Sequence, residues 1–423
     1  MSCNVPKLTT LVDADNFYVS CERIFRPDLR GSPVVVLSNN DGCVVARSPE
    51  VKEMGVKMGT PYFRLRNLPR GSDITAFSSN YELYGDISAR IMQVLGGMSP
   101  KVEPYSIDEA FLELDSKGAE DVGREIIATC LDWVGVPVKV GIARTKTLAK
   151  IAAEWIKLEK PDCRCRRLTE AAEIAEVLEM IPLEDVWGVG RRTADKLRRC
   201  GVRTPGELAA QPESRLRKKF DVNLARTALE LRGVACFDIE LYPPPRQNLC
   251  CSKSFGRCVS AYSDLHESVV AYAAEAAAKL RRQNQAAQSI SVFIHTDRFN
   301  PNAPQYANCS CAPLVPASND TGPIVKAAGQ ALARIFKPGF NYKKSGVLLN
   351  DLVPETLEQK DLFHARDPRA KALSQALDAI NAEFGPNSVA VGASAMKNRK
   401  WAMTRRRQSP KYTTRWTDLM RVC

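Results

Sequence analysis

Two adjacent carboxylates inside an apolar segment constrain the fold of this chain more than any other feature. Asp108 and Glu109 lie within the strand-prone run from Tyr105 to Leu112. Charges left unpaired in such surroundings would be costly, so the segment predicts a bound cation. Successive side chains of a regular strand point to opposite faces, so both carboxylates can reach one ion only where the chain turns or bulges. The segment therefore predicts a hairpin that carries a metal site.

A second acidic segment near the N-terminus supplies a further candidate ligand. Asp13 follows the apolar pair Leu11 and Val12, so a strand end would project it. Three carboxylates from two strands would form a hard-oxygen site suited to Mg²⁺, which takes further ligands from the phosphates of a substrate. A solvated turn is the alternative for the Asp108 segment taken alone. Its apolar flanks and the second acidic segment favour the metal site.

The two acidic segments together resemble the paired signature of the Y-family, lesion-bypassing DNA polymerases. The residues that carry the resemblance are Val12 to Tyr18 and Ser106 to Phe111. It implies an α+β fold, a right-hand polymerase with a ferredoxin-like palm, small fingers, a helix-hairpin-helix thumb and a βαββαβ little finger. The implied function is that of an error-prone, template-directed DNA polymerase for lesion bypass in the bacterial SOS response.

The same resemblance assigns a catalytic role to the three carboxylates. Asp13 and Asp108 would bridge two Mg²⁺ ions and Glu109 would bind the first of them, with the carbonyl of Ala14 as a further ligand. One ion would lower the pKa of the primer 3′-hydroxyl, and the other would hold the triphosphate. The resemblance thus implies an enzyme, a DNA-directed DNA polymerase that works by two-metal nucleotidyl transfer.

Three residues are assigned by the resemblance to the incoming nucleotide. Tyr18 would be the steric gate, whose ring leaves no room for a ribose 2′-hydroxyl; a core aromatic is the alternative. Lys52 and Lys146 would bind the triphosphate, although a lysine at a helix start opposes the helix dipole unless an anion is bound there. Many family members carry a tyrosine where this chain has Pro49, which cannot donate a hydroxyl hydrogen bond.

Length and composition are those of a globular protein with several domains. The chain has 423 residues, of which 44% are hydrophobic and 26% are charged. No apolar run approaches membrane-spanning length and the first residues do not form a signal peptide, so a cytoplasmic location is expected. Fourteen cysteines without a Cys-x-x-Cys spacing, together with only three histidines, argue against a zinc site.

The net charge of +12 is unevenly distributed along the chain. Residues 1–150 hold 18 basic and 19 acidic side chains, whereas the remainder holds 42 basic and 29 acidic side chains. This distribution suits an acidic, metal-binding part followed by parts that bind a polyanion. Nucleic acid is the expected partner.

A glycine-containing turn in the middle of the chain is similar to a helix-hairpin-helix motif. Gly188 and Gly190 precede a basic helix that begins at Arg191. Glycines allow the backbone to approach a phosphate closely, and the N–H groups at a helix start bind phosphate without reading sequence. Gly188, Gly190 and Arg191 are therefore the predicted DNA-binding residues.

Capping signals predict where several helices begin. Ser48 is a candidate N-cap, and Ser79 with Glu82 has the spacing of a capping box. Thr204 has the same spacing to Glu207. The predicted helices therefore start directly after Ser48, Ser79 and Thr204.

These signals divide the chain into a polymerase-like series of domains. A proline-rich stretch at 243–245 marks a linker, and the segments beyond it follow a βαββαβ order. The expected domains are a palm (1–22 and 77–165), fingers (23–76), a thumb (166–233), a linker (234–247), a little finger (248–351) and a C-terminal partner-binding tail (352–423).

The tail contains a segment that resembles the sliding-clamp-binding peptide of bacterial polymerases. Gln359, Leu362 and Phe363 supply its amide and its two apolar anchors, and a chance match is the alternative. Residues 409–422 resemble the end of the polymerase V branch of the family. That resemblance implies primer-template DNA, deoxynucleoside triphosphates, a processed UmuD dimer, RecA and the sliding clamp as partners, and no membrane.

Two other functions are compatible with parts of the sequence. A palm-type nucleotide cyclase uses a similar hairpin with two metals, and a basic helix-hairpin-helix protein could bind DNA as a non-catalytic SOS regulatory protein. A cyclase would not need a thumb or a polyanion-binding domain. A non-catalytic binding protein would not need Asp13, Asp108 and Glu109 together.

Overall fold

The strand that carries Asp13 lies at the centre of the larger of two sheets in the first part of the chain. The computed structural model describes residues 6–65, 67–68, 71–158, 163–357, 368–385, 388–390, 392 and 399–419. The chain divides into two compact units. The first comprises residues 1–38, 43–243 and 407–423, and the second comprises residues 39–42 and 244–406.

The strands of the first unit form two sheets. They are β1 (Lys7–Ala14), β2 (Val34–Leu37), β3 (Val44–Arg47), β4 (Thr75–Ser78), β5 (Val102–Pro104), β6 (Glu109–Asp115), β7 (Val138–Ala143) and β8 (Cys165–Leu168). The larger sheet has the order β5-β6-β1-β7-β8, and the smaller sheet has the order β3-β2-β4. Strand β1 is antiparallel to both β6 and β7, so residues from three strands meet at its end.

The α-helices of the first unit lie between and after these strands. They are α1 (Phe17–Phe25), α2 (Pro49–Glu53), α3 (Tyr62–Leu65), α4 (Tyr81–Met98), α5 (Ala119–Thr129), α6 (Lys146–Leu158), α7 (Ala171–Met180), α8 (Arg191–Arg199), α9 (Pro205–Ala209), α10 (Glu213–Lys219) and α11 (Val222–Leu231).

Helices cover both faces of the larger sheet because its central strands are apolar. Val12 of β1 packs with α4 and α5 on one face, and Leu11 packs with α6 on the other. All six residues of β7 are buried. Gly141 is required in β7, since a Cβ there would collide with the backbone carbonyl of Ala149 on α6. This close approach fixes α6 against the sheet.

The start of α4 differs by one residue from the predicted capping box. Asn80 is the N-cap, and its Oδ1 accepts a hydrogen bond from the N–H of Leu83 at 3.4 Å. The hydroxyl of Ser79 instead donates to the carbonyl of Leu37 in β2. The predicted role of Ser79 is therefore wrong, because its hydroxyl is used between elements.

The other two capping predictions have different outcomes. Ser48 occupies the N-cap position of α2, but its hydroxyl accepts from the N–H of Val34 at 3.1 Å rather than from its own helix. Thr204 caps α9 as predicted, accepting from the N–H of Glu207 at 3.1 Å. Short polar side chains thus mark helix starts correctly in sequence, while their bonding partner depends on the tertiary structure.

The second unit is an antiparallel sheet packed against helices. Its elements are β9 (Leu249–Val259), α12 (Tyr262–Arg282), β10 (Gln285–Thr296), β11 (Ala307–Ser318), α13 (Thr321–Ile335), β12 (Tyr342–Pro354) and α14 (Pro368–Glu383). The strand order is β11-β10-β12-β9. The predicted βαββαβ order is confirmed by β9 to β12. No helix in the described part of the chain combines the length and apolarity needed to cross a bilayer.

Candidate active site

The carboxylate of Asp13 lies at the end of β1, between its two neighbouring strands. Asp13 pairs with Glu109 on β6 and with Lys139 on β7. It is 9% exposed, and its Oδ2 lies 3.0 Å from Nζ of Lys139. A buried carboxylate requires such a partner, because an uncompensated buried charge is strongly destabilising.

Asp108 lies in the turn between β5 and β6, which confirms the predicted hairpin. Its carbonyl accepts a hydrogen bond from the N–H of Ala14 at 2.9 Å and so joins the turn to the end of β1. The hydroxyl of Ser106 donates to Oδ1 of Asp108 at 2.6 Å and accepts from the Asp108 N–H at 3.2 Å. Strand β6 begins at Glu109, so Asp108 lies before the strand. Its side chain is therefore not forced to the face opposite that of Glu109.

Glu109 is held by a lysine of α6. Nζ of Lys150 lies 2.8 Å from Oε2 of Glu109 and 4.6 Å from the ring centroid of Tyr105. Two of the three predicted carboxylates, Asp13 and Glu109, are thus each paired with a lysine from a neighbouring element. The site is assembled as alternating negative and positive groups.

Lys139 and Asp15 belong to this arrangement, although the sequence analysis did not identify them. Lys139 Nζ also lies 3.0 Å from Oδ1 of Asp15, and Nη1 of Arg164 lies 2.6 Å from Oδ2. Burial opposes the charge of both groups, yet the two aspartates raise the pKa of Lys139, and Lys139 with Arg164 lowers the pKa of Asp15. A lone lysine in the otherwise apolar strand β7 was the available signal, since a buried cation requires carboxylates.

Lys52 lies within electrostatic reach of Asp15. Partial burial lowers its pKa, and the charges of Arg47, Lys139 and Lys157 lower it further, while Asp15 opposes them. The structure therefore brings Lys52 into a cluster of cations beside the strand end. Such a cluster is suited to a polyanion, which would restore the charge balance.

Lys157, near the end of α6, is a second lysine of that helix that reaches a carboxylate of the site. Its Nζ lies 3.9 Å from Oδ2 of Asp13, and its side chain is 45% exposed. The side chain also pairs with Glu154, one turn earlier on the helix. An exposed ammonium beside buried carboxylates is available to a ligand that enters from solvent.

Lys146, the lysine that the sequence analysis assigned to the triphosphate, lies in a buried ion pair with Glu103. It begins α6, is 4% exposed, and places Nζ 2.5 Å from Oε2 of Glu103 and 5.0 Å from the ring centroid of Phe111. Glu103 also accepts from the N–H of Glu240 at 2.6 Å. Because this ion pair encloses the ammonium, Lys146 is not available to a phosphate in this arrangement. Spacing predicted the helix start correctly but not the direction of this side chain.

The ring of Tyr18 lies in a cluster of tyrosines. It stacks on Tyr84 with centroids 4.5 Å apart and planes at 15°, and it meets the ring of Tyr81 edge-on at 6.1 Å. The Tyr84 hydroxyl donates to Oε1 of the buried Glu22 at 2.7 Å. Burial raises the pKa of Tyr18, and the nearby Tyr81 and Asp108 add to the shift. Tyr18 therefore lies beside the acidic hairpin.

The predicted phosphate-binding turn has the backbone that its glycines permit. Gly188 has a φ of +83°, in the left-handed region, and Gly190 is the N-cap of α8. A Cβ on Gly190 would meet open space, and Arg191 is exposed. No side chain caps this helix start in the structure described here, so its first N–H groups can bind an anion.

The donor set is chemically suited to a hard divalent cation. Oxygen ligands at the ends of adjacent strands match the preferences of Mg²⁺. Among the described residues, no three Asp, Glu, His or Cys side chains form a group that could hold a metal ion as they stand. Instead, the carboxylates of Asp13 and Glu109 form ion pairs with Lys139 and Lys150. The oxygen donors fit a divalent cation. In this structure the positive charges of the two lysines balance the carboxylates.

Family profiles match most of the chain. The impB/mucB/samB family matches residues 12–154, and the C-terminal domain of that family matches residues 246–362. The IMS family HHH motif matches residues 171–202. A domain of unknown function (DUF4113) matches residues 371–422.

Several relatives are similar over nearly their whole length. The chain is 44% identical to Protein UmuC of Salmonella typhimurium, over 97% of this chain and 99% of that protein. It is 40% identical to Protein MucB of Escherichia coli, over 97% of this chain and 98% of that protein. It is 29% identical to DNA polymerase IV of Moorella thermoacetica, over 89% of this chain and 93% of that protein. A solved Y-family DNA polymerase chimera of Dbh and Dpo4 is similar in fold, with a TM-score of 0.65 at 21% identity over 82% of this chain and 99% of that chain.

Proposed function

Since this chain belongs to the impB/mucB/samB family and is an error-prone translesion DNA polymerase, we propose that Asp13, Asp108 and Glu109 form its catalytic centre. Its substrates are DNA and nucleotides, its reaction requires a divalent metal, and its role lies in DNA repair and SOS mutagenesis. The observation that carries the proposal is the cross-strand pair of Asp13 and Glu109 beside the turn that presents Asp108.

The three carboxylates would hold two Mg²⁺ ions, with the carbonyl of Ala14 as a further ligand. When bound, the ions lower the pKa of the primer 3′-hydroxyl and offset the charge of the leaving pyrophosphate. Lys139 holds the Asp13 carboxylate from β7, and the hydroxyl of Ser106 holds that of Asp108. Both groups are thus oriented before a substrate arrives, which lowers the reorganisation needed for the reaction.

Lys52 and Lys157 bind the triphosphate in this proposal. Lys52 lies within electrostatic reach of Asp15 and Lys157, and Lys157 lies 3.9 Å from Asp13 and is open to solvent. Lys157 takes the role that the sequence analysis gave to Lys146. Burial and the neighbouring cations together lower the pKa of Lys52. A bound polyanion would relieve the repulsion among these cations.

Lys157→Ala is expected to raise the KM for the incoming nucleotide about tenfold to hundredfold, because a hydrogen bond to a charged group contributes about 1.5–3 kcal/mol. Lys146→Ala should instead lower the free energy of unfolding by about 3–5 kcal/mol, because Glu103 is left buried without its cation. Single-nucleotide insertion kinetics and chemical denaturation measure the two effects. A raised nucleotide KM for Lys146→Ala, with none for Lys157→Ala, would restore the sequence-based assignment.

Gly188, Gly190 and Arg191 contact DNA phosphates in this proposal. The exposed start of α8 supplies backbone N–H groups, and the arginine supplies charge without reading base sequence. The domains proposed from the sequence give this turn to the thumb. The proposed domains are the palm (1–22 and 77–165), the fingers (23–76), the thumb (166–233), the linker (234–247), the little finger (248–351) and the tail (352–423).

The proposed protein partners are a processed UmuD dimer, RecA and the sliding clamp. Similarity to Protein UmuC supports the first two. Gln359, Leu362 and Phe363 would dock on the clamp, and these residues lie outside those that the structure describes. A polymerase with these partners would work in the cytoplasm.

Primer extension with and without Mg²⁺ tests the proposed function. A labelled primer on a template should lengthen only when deoxynucleoside triphosphates and the metal are both present. A nucleotide cyclase would form a cyclic product without a primer, and a non-catalytic protein would bind DNA without extending it. Absence of extension by a folded, DNA-binding preparation with Mg²⁺ would contradict the proposal.

A further inference from the structure

Residues 407–412, here called the C-terminal strap, pack within the first unit beside the tyrosine cluster. The N–H of Ser78 donates to the carbonyl of Arg407 at 3.0 Å, and the N–H of Arg407 donates to Oγ of Ser78 at 3.0 Å. A parallel bridge joins Ser78 to Gln408. The strap therefore extends the edge of the smaller sheet beyond β4.

Asn80 ties the strap to the start of α4. Its buried side-chain amide donates to Oγ of Ser409 at 3.0 Å and approaches the carbonyls of Ser409 and Pro410 at 3.3 and 3.2 Å. The other side-chain atom, Oδ1, caps α4. One buried amide thus holds the strap against the helix that carries Tyr81 and Tyr84.

Ser409 continues these contacts toward Tyr18. It is 7% exposed, and its hydroxyl donates to Oε1 of Glu22 at 3.0 Å. The same oxygen accepts from the hydroxyl of Tyr84 at 2.7 Å, and the ring of Tyr84 stacks on that of Tyr18. A continuous set of buried contacts therefore runs from the strap to the ring of Tyr18.

Two further contacts hold the strap in place. The ring of Tyr412 stacks on Phe25 of α1 with centroids 4.5 Å apart and planes at 9°. Nζ of Lys411 lies 2.5 Å from Oε2 of Glu82 on α4. The strap is therefore attached to α1, which carries Tyr18, and to α4, which carries Tyr81 and Tyr84.

The carboxyl of Glu22 depends on the hydroxyl groups that face it. It is fully buried, and its Oε2 has no hydrogen-bond partner among the described residues. Burial raises the pKa of Glu22 to about 7, while the hydroxyls of Tyr84 and Ser409 act against the shift. Removing either donor would leave a buried acceptor less satisfied, and the group would move to find another partner.

We propose that the C-terminal strap positions the sugar-selecting tyrosine. By holding Glu22, and through it the ring of Tyr84, the strap fixes the plane of Tyr18 against the sugar of the incoming nucleotide. Ser409 is the positioning residue and does not touch the nucleotide. This inference rests on the proposed steric-gate role of Tyr18, and it gives a function to part of the domain matched at residues 371–422.

The test compares deoxynucleotide and ribonucleotide insertion by the full chain. Ser409→Ala is expected to reduce the ratio of the two kcat/KM values about fivefold, the effect of losing one net hydrogen bond. Ser409→Thr keeps the hydroxyl and should retain the ratio. Thr417→Ala removes an exposed hydroxyl that donates to Oδ1 of Asp418 at 3.1 Å, outside the strap, so it is the matched control. Because both substrates are measured on one preparation, a reduced folded fraction does not alter the ratio.

The same measurement in a Tyr18→Ala background separates the strap inference from the proposed steric-gate role of Tyr18. If the strap acts through Tyr18, Ser409→Ala should have no further effect once the ring is gone, since coupled residues are non-additive. An unchanged ratio for Ser409→Ala, with a changed ratio for Tyr18→Ala, would overturn the strap inference and leave the steric gate standing. An unchanged ratio for Tyr18→Ala would overturn both. An equal loss for Thr417→Ala would overturn the strap inference as well.

Discussion

Replacement of Asp108 by Asn is expected to reduce primer extension by at least a factor on the order of 10²–10³, the typical cost of losing one electrostatic contact to a transition state. Asparagine has nearly the same shape as aspartate, and its carbonyl can still accept from the hydroxyl of Ser106, so the turn before β6 should keep its conformation. The substitution removes the negative charge with which Asp108 would bind a divalent cation. Primer extension measured over a range of Mg²⁺ concentrations gives the effect.

DNA binding by the same Asp108→Asn protein should remain close to that of the wild type. The proposed phosphate contacts lie at Gly188, Gly190 and Arg191, away from the carboxylates in sequence and on a different element. Asp115→Asn is a matched control, because Asp115 ends β6, the strand that follows Asp108, and is exposed in a surface ion pair with Lys7. More than a few per cent of wild-type extension by Asp108→Asn, or an equal loss for Asp115→Asn, would remove Asp108 from the catalytic centre.

The acidic hairpin could be predicted from sequence because burial and charge conflict there. Asp108 and Glu109 in an apolar run require a turn and a cation whatever the rest of the chain does. The structure contains the turn, and Glu109, which follows it, pairs with Lys150. The local physics was therefore sufficient to predict the turn.

The direction of the lysine side chains on α6 could not be predicted from the sequence. Lys146 and Lys157 lie on one helix, and their spacing alone does not reveal which of them faces Asp13. The direction is set by how α6 packs on the sheet, where Gly141 allows the helix to approach closely. Lys139 could have been identified from the apolar strand around it. Side-chain direction on a helix is thus a tertiary property, while a charge in a buried strand is a local signal.

The C-terminal strap lay beyond sequence reasoning for a different reason. The amide of Asn80 and the hydroxyl of Ser409 are separated by 329 positions in the chain. The same short polar types that cap helices also form such contacts, so the residue types give no indication of the partner. Asn80 performs both functions at once, as the cap of α4 and as the anchor of the strap.

Tyr18→Ala is expected to raise ribonucleotide insertion about tenfold to hundredfold relative to deoxynucleotide insertion. Inserting an extra group into a packed site typically costs about 1–3 kcal/mol, and that cost would disappear with the ring. Tyr18 is well held for this role, because it stacks on Tyr84, whose hydroxyl is fixed by Glu22. Insertion kinetics with paired deoxynucleotide and ribonucleotide substrates measure the change.

Tyr18→Phe is the control that separates the ring from its hydroxyl. Phenylalanine keeps the stacked ring and should therefore keep the exclusion of ribonucleotides, whereas alanine opens the space beside the sugar. If exclusion depended on the hydroxyl instead, both substitutions would lose it. If neither substitution changed the ratio, Tyr18 would be a core aromatic that stabilises α1 against α4. In that case only the free energy of unfolding would fall for Tyr18→Ala, because a stacked aromatic contact would be lost.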